Sequence, residues 1–376
     1  MLVGFILGRR SGIIEGYCQG VVFAPIEFRR RSLEKGRCSI CGTRVNEDDG
    51  WAFPDSYDIE DLVIERRESH LQSWSSSLEF VKMHGLGNDF VVLDWVDNRA
   101  MPSGGHLEDE ELSRLAIEVC DRHFGVGADG MVLILPSEIA DLKMRIFNPD
   151  GSEARMCGNA TRCIARYAYE TGLIHEPQFL LETLSGIVSP RVNIRDGEVV
   201  GVTVNMGEPV FKASRIPVIS STDTVINQPK AFGNQKVNIT CVSMGNPHCV
   251  IFIDDLEAID LHTMGPLIEN DPMFPDKINV EFVQVRRRDD VKAVVWERGA
   301  GPTLACGTGA CAIVASGVMR DILDREVSVE LPGGVLQIRW DQQDNHIYMT
   351  GPAQKVFRGF MDISEITNRD RTGRSE

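Results

Sequence analysis

The chain has 376 residues, enough for two or three domains. Its composition, 43% hydrophobic and 25% charged, is that of a soluble globular protein able to bury a full core. A formal net charge of -16 argues against a nucleic-acid or anionic-membrane partner, and no apolar run approaches the ~20 residues of a membrane span.

Residues 1–79 show no sustained strand or helix period and are read as an N-terminal extension that the catalytic fold does not require. Their opening, "MLVGFILGRRSG", puts a short apolar run before the arginines, the reverse of a secretory signal. The carboxylates between 47 and 68 are out of keeping with a transit peptide, so a cytoplasmic protein is expected. "RRRSLEKGR" and "DIEDLVIERRE" read as solvated charge runs. "CSIC" (Cys38, Cys41) is half of a zinc pattern without a second pair at the usual spacing, and Cys18 and His70 complete it poorly; no metal is expected. The ten cysteines do not imply a disulfide framework in a long chain with no export signal.

From Phe80 strand signals dominate. "LKMRIF" at 142–147 alternates apolar and basic residues as a half-buried strand does. After Cys157, the residues Ala160, Cys163, Ile164, Tyr167 and Ala168 mark one face of a helix that Gly172 should stop. "VNIRDGEVVGVTVNM" at 192–206 is a hairpin around Asp196-Gly197. After Cys306, "ACAIVASGVM" is apolar all round and predicts a helix buried on every side. "VSVELPGGVLQIRW" at 327–340 is another hairpin, expected to turn at Gly333-Gly334.

These pieces repeat in order, about 150 residues apart, with the scatter that loop insertions produce. "GLGNDFVVLD" parallels "SMGNPHCVIFID", "MCGNATRCIA" parallels "ACGTGACAIV", "LETLSGIV" parallels "VELPGGVL", and "VNMGEPVF" parallels "YMTGPAQKVF". The expected fold is α+β, with two pseudo-symmetric halves, each a mostly antiparallel sheet wrapped around one central helix. The halves are placed at 80–210 and 211–358, with a polar tail at 359–376, and the active site in the cleft between them.

Each half starts its helix with Cys-Gly. A helix N-terminus offers free N–H groups and partial positive charge, which hold a carboxylate and lower a thiol toward thiolate. Gly158 and Gly307 let the backbone approach a ligand. Two such starts facing each other would grip one carboxylate and set Cys157 and Cys306 on opposite faces of the neighbouring carbon. One thiol could then remove a proton while the other returns one from the opposite side, inverting the stereocentre. Cys120, Cys163, Cys241, Cys249 and Cys311 sit in apolar-periodic segments and read as buried packing residues.

The strings "KMHGLGNDFVVLD", "FNPDGSEARMCGNATRC", "MGNPHCVIF", "DKINVEFV" and "ERGAGPTLACGTGACA" make residues 80 to about 360 resemble the diaminopimelate epimerase family. The resemblance implies a homodimer that needs neither pyridoxal phosphate nor a metal. It implies Cys157 and Cys306 as the acid/base pair acting on LL- and meso-diaminopimelate in lysine biosynthesis. Asn159 and Thr308, with Gly158 and Gly307, would hold the reacting carboxylate. Glu297 would partner the α-ammonium and Arg298 the distal carboxylate. Asn88, Asn148, Asn246 and Asn279 would be amide contacts to substrate, and His248 would support the glutamate side. Gly130 in "GVGADG" departs from members with glutamine there, putting one distal contact in doubt. The first 79 residues match nothing in the family. They are either a real appendage or the result of a start placed upstream, Met83 standing close to where the family's chain begins. Two rivals stay open: an epimerase or racemase of the same scaffold acting on proline, hydroxyproline or histidine, and a non-catalytic redox or binding module with paired thiols.

Overall fold

The computed structural model describes residues 77–96 and 107–362; the "CSIC" pair and the charge runs of the extension lie outside them. The first part of the chain forms β1 (Ser77–Gly85), β2 (Asn88–Asp94), α1 (Asp109–Cys120), β3 (Gly130–Leu135), β4 (Leu142–Phe147), β5 (Glu153–Ala154), α2 (Gly158–Thr171), β6 (Leu181–Thr183), β7 (Gly186–Val188), β8 (Arg191–Arg195) and β9 (Glu198–Asn205). The second forms β10 (Gln228–Phe232), β11 (Gln235–Ser243), β12 (Pro247–Ile253), α3 (Leu261–Glu269), β13 (Asn279–Arg287), β14 (Asp290–Glu297) and β15 (Gly301–Thr303). It ends with α4 (Gly307–Met319), β16 (Glu326–Leu331), β17 (Gly334–Trp340), β18 (Ile347–Gly351) and β19 (Gln354–Asp362).

The internal repeat is a repeat of pairing. β1–β2 is antiparallel, β2–β3 parallel, β3–β4 antiparallel, β4–β6 parallel and β6–β7 antiparallel. The same sequence of directions runs through β11–β12, β12–β13, β13–β14, β14–β16 and β16–β17. The result is α+β, with an eight-stranded and an eleven-stranded sheet in two pseudo-symmetric halves. The sheets exchange strands. β19 closes the first sheet against β1, while β9 and β8 extend the second beyond β18. The seam is the antiparallel pair β9–β18, which sets Val204 opposite Met349.

Each sheet is covered on both faces, and the period-2 alternation of its strands shows how. Val92, Val132 and Ile134 join the cluster around α2, whereas Val91, Leu93, Met131 and Leu133 join the cluster around α1. α4 shares the large central cluster with α2, and α3 packs with the outer cluster of the second sheet. Every residue from Gly309 to Gly317 is buried, as an all-apolar helix requires. Among the described residues each half thus has, besides the expected central helix, an outer α-helix that was not expected. α1 is opened by a Glu108/Glu111 capping box and hides Leu112, Leu115, Ala116 and Val119 within a strongly acidic segment. α3 is short and carries Pro266, but Asp260 caps its first N–H groups.

Both predicted hairpins form. Asp196 and Gly197 have φ of 53° and 82°, the left-handed pair a two-residue hairpin turn demands. The second turns one residue earlier than expected: Leu331 pairs with Gly334, leaving Pro332-Gly333 as the turn. Gly172 ends α2 with φ 77°. Among the described residues no helix is long and apolar enough to cross a membrane.

Candidate active site

Cys157 and Cys306 are the N-cap residues of α2 and α4, both with extended backbone, and Gly158 and Gly307 are the first helical residues. A Cβ added at Gly158 would lie 2.8 Å from Met349 Cε, and one at Gly307 would lie 2.9 Å from Met349 Sδ. Both helix starts therefore press on the same buried side chain at the β9–β18 seam. A side chain at either position would have to push the end of Met349 aside, and the N–H groups of two helix starts face this point.

Around Cys306 the site is acidic. Its sulfur accepts from the Gly309 N–H at 3.4 Å and lies 3.5 Å from Thr308 Oγ1. Glu297, at the end of β14, accepts from Thr303 Oγ1 at 2.6 Å. His248 and Glu281 are completely buried, and His248 Nδ1 lies 2.7 Å from Glu281 Oε1. His248 Nε2 lies 2.9 Å from Asn246 Oδ1. A Cβ at Gly309 would come within 2.9 Å of Glu281 Oε1, so this carboxylate sits beneath the first turn of α4.

Around Cys157 the site is built of amides. Asn88 Oδ1 accepts from Asn159 Nδ2 at 2.9 Å and is 3.9 Å from the Cys157 sulfur. Asn159 Oδ1 accepts from Arg162, a guanidinium with no exposed surface. Cys157 itself is partly exposed, whereas Cys306 is 4% exposed.

Burial pushes both thiols up. For Cys306 the carboxylates of Glu297 and Glu281 add to the effect and carry it well above the ordinary thiol value. For Cys157 the N–H groups of Ala160 and Asn159 and the charge of Arg162 oppose it, while Glu297 reinforces it. The lowering expected at a helix start is present, but desolvation outweighs it at both cysteines. Burial also raises the Glu297 carboxyl, against the Thr303 hydrogen bond and the His248 charge. One carboxylate thus raises both thiols, Cys306 more strongly than Cys157.

The remaining predicted residues divide. Asn279 bridges two turns: Nδ2 donates to the Pro247 carbonyl at 2.8 Å and Oδ1 accepts from the Arg298 N–H at 2.9 Å. It thereby ties the Asn246–His248 turn to the Glu297–Arg298 turn. Arg298 is exposed, with Nη1 donating to the Asp276 carbonyl at 3.0 Å. Asn148 donates to Ser152 Oγ at 2.9 Å within its own turn. A Cβ at Gly130 would lie 3.0 Å from the Phe147 carbonyl, so a side chain there requires β4 to give slightly. Cys120, Cys163, Cys241, Cys249 and Cys311 are all buried, and all seven described cysteines are free. Glu281, Thr303, Arg162 and Asp129 were not singled out from sequence. The only signal was a charged residue in an otherwise apolar position, for Arg162 on α2 and for Glu281 on β13.

The profile of the family Diaminopimelate epimerase matches residues 80–212 and 240–356. A protein of Moorella thermoacetica named diaminopimelate epimerase is 50% identical over 282 residues, 75% of this chain and 98% of its own length. One of Methanococcus maripaludis with the same name is 48% identical over 286 residues, 76% of this chain and 100% of its own. The fold is also that of a hydroxyproline epimerase from Agrobacterium vitis, with TM-score 0.57, 16% identity and coverage of 77% and 93%. A Bacillus anthracis phenazine biosynthesis protein of the PhzF family gives TM-score 0.54 at 18% identity, covering 76% and 99%. The chain belongs to the diaminopimelate epimerase family and is an isomerase.

Proposed function

We propose that this protein interconverts LL- and meso-2,6-diaminopimelate in lysine biosynthesis, with Cys157 and Cys306 as the acid/base pair and no cofactor. The observation that carries the reading is the convergence of two Cys-Gly helix starts on Met349, with Glu297 acting on both thiols. The N–H groups of Gly158, Asn159, Gly307 and Thr308 receive the carboxylate of the reacting centre. Glu297, half-buried and with its carboxyl raised by desolvation, is held in its charged form when the α-ammonium arrives beside it. That cation offsets the carboxylate that holds the neighbouring thiol up, so binding itself favours one thiolate. The thiolate removes the α-proton, the helix N-termini stabilise the charge that develops on the carboxylate, and the opposite thiol returns a proton from the other face. Arg298, free at the rim apart from one bond to a backbone carbonyl, receives the distal carboxylate. Asn88, Asn148, Asn246 and Asn279 complete the polar lining, and His248 supports Glu297. We take the working form to be a cytoplasmic homodimer, as the family resemblance implies.

The test is incubation of purified protein with LL-diaminopimelate in deuterated water. The meso isomer should form, with one deuterium at the inverted carbon, in reductant and without added cofactor. Absence of inversion, or preference for a monocarboxylic amino acid, would overturn the reading.

A further inference from the structure

The amides beside Cys157 belong to a longer chain of hydrogen bonds with a fixed direction. Arg162 Nη2 donates to Asn159 Oδ1 at 2.8 Å, Asn159 Nδ2 donates to Asn88 Oδ1 at 2.9 Å, and Asn88 Nδ2 donates to Asp129 Oδ2 at 2.9 Å. A guanidinium can only donate and an ionised carboxylate can only accept. With one at each end, both amides have a single arrangement that satisfies every bond, and it turns the Asn88 carbonyl toward the Cys157 sulfur.

Both ends are anchored. Arg162 is fully buried, and its other donors reach the Pro352 carbonyl at 3.2 Å and Met349 Sδ at 3.5 Å. Among the described residues it has no carboxylate partner. Asp129 is held by Arg122 at 2.6 Å and accepts the Asp89 N–H at 3.0 Å. Arg122 also bonds Asp89, which pairs with the buried Lys82 at 2.6 Å. Among the described residues the second thiol has no such chain. Two residues after Cys306 stands Thr308, and the position of Arg162 is taken in α4 by Cys311.

We propose that Asp129 and Arg162 are positioning residues for Cys157. From opposite ends they fix the polarity of the Asn159–Asn88 relay, so that the Asn88 carbonyl accepts the Cys157 S–H and holds that thiol toward the cleft. The relay serves one face of the substrate only. This rests on the two-thiol reading above.

Asp129 is 40% exposed on its side chain, so its replacement leaves the core untouched. Asp129→Ala and Asp129→Asn are placed in the Cys306→Ala background, where α-proton exchange with solvent deuterium depends on Cys157, and in the Cys157→Ala background, where it depends on Cys306. Asp129→Ala should slow exchange about tenfold in the first background, the loss of one hydrogen bond to a working group, and change it less than twofold in the second. Asp129→Asn, whose amide oxygen can still accept from Asn88, should recover most of the loss. In the otherwise unaltered enzyme, the pH profile for alkylation of Cys157 should move down by about half a unit in Asp129→Ala, because an acceptor of the S–H favours the protonated thiol. Equal loss in both backgrounds, or an unmoved alkylation profile, would overturn the proposal. If neither cysteine variant exchanges at all, the two-thiol reading fails, and the alkylation profile alone decides the relay.

Discussion

Glu297 and Arg298 are adjacent in sequence and opposite in setting: the first is half-buried on the Cys306 side of the site, the second lies exposed. Arg298→Ala should therefore raise KM for diaminopimelate by about tenfold or more, the worth of a charge-assisted hydrogen bond, with a smaller effect on kcat. Steady-state kinetics with both isomers checks this; unchanged KM would remove Arg298 from the distal subsite. The two cysteines were legible because each stood before glycine at a helix start and each recurred in the repeat. Glu281 and Asp129 were not, since each acts through a partner distant in sequence, and Arg162 was not, since an arginine on a helix ordinarily faces solvent. Glu281 meets His248 across 33 positions and Asp129 meets Asn88 across 41. A charged residue read singly looks like a solvated one, and only folding shows that Arg162 and Glu281 have no exposed surface.

At the scale of elements, the helix starts depend on glycine more than on any side chain. Gly158→Ala and Gly307→Ala each drive a methyl into Met349, which is itself fully buried. Such overpacking costs about 1–3 kcal/mol and separates the two helix starts, so kcat should fall well beyond what the loss of stability explains. Thermal melting alongside kcat measures the two separately, and Met349→Ala should restore part of the activity of Gly158→Ala by giving the methyl room. Retained kcat in both alanine variants would mean that the helix starts do not meet at the carboxylate. The hairpins and the two central helices were readable because local pattern decides them: positive-φ turn residues, a continuous apolar face, a glycine stop. α1 and α3 escaped because their apolar faces are short and their capping carboxylates make the segments look like polar loops. The exchange of β8, β9 and β19 between sheets is a matter of non-local pairing, on which strand period is silent.

For the whole molecule, pH acts on stability and on activity through different groups. Burial opposes the charge of Asp89, yet Arg122 and Lys82 outweigh it and hold the carboxyl at about 2, below the ordinary 3.8. Its contribution is thus complete above the unfolded value and is lost as the pH falls through about 2. Asp89→Asn should flatten the acid limb of the stability profile measured by urea unfolding between about pH 4 and 2. Activity should instead climb on the alkaline side, since both thiols are held up by burial. The family match begins at residue 80, but β1 begins at Ser77 and buries Leu78. A chain shortened to start at Ser76 should therefore keep full activity, whereas one starting at Glu79 should melt lower. The most direct measurement is deuterium exchange by Cys157→Ala and Cys306→Ala acting on each isomer in turn. If the thiols face opposite sides of one carbon, each variant loses net epimerisation by more than the ~10²–10⁴-fold of an ordinary acid–base group. Each should still exchange the α-proton slowly in one isomer, the opposite isomer for each variant, and the double variant should exchange neither. Substantial epimerisation by either single variant, or the same isomer preference in both, would contradict it.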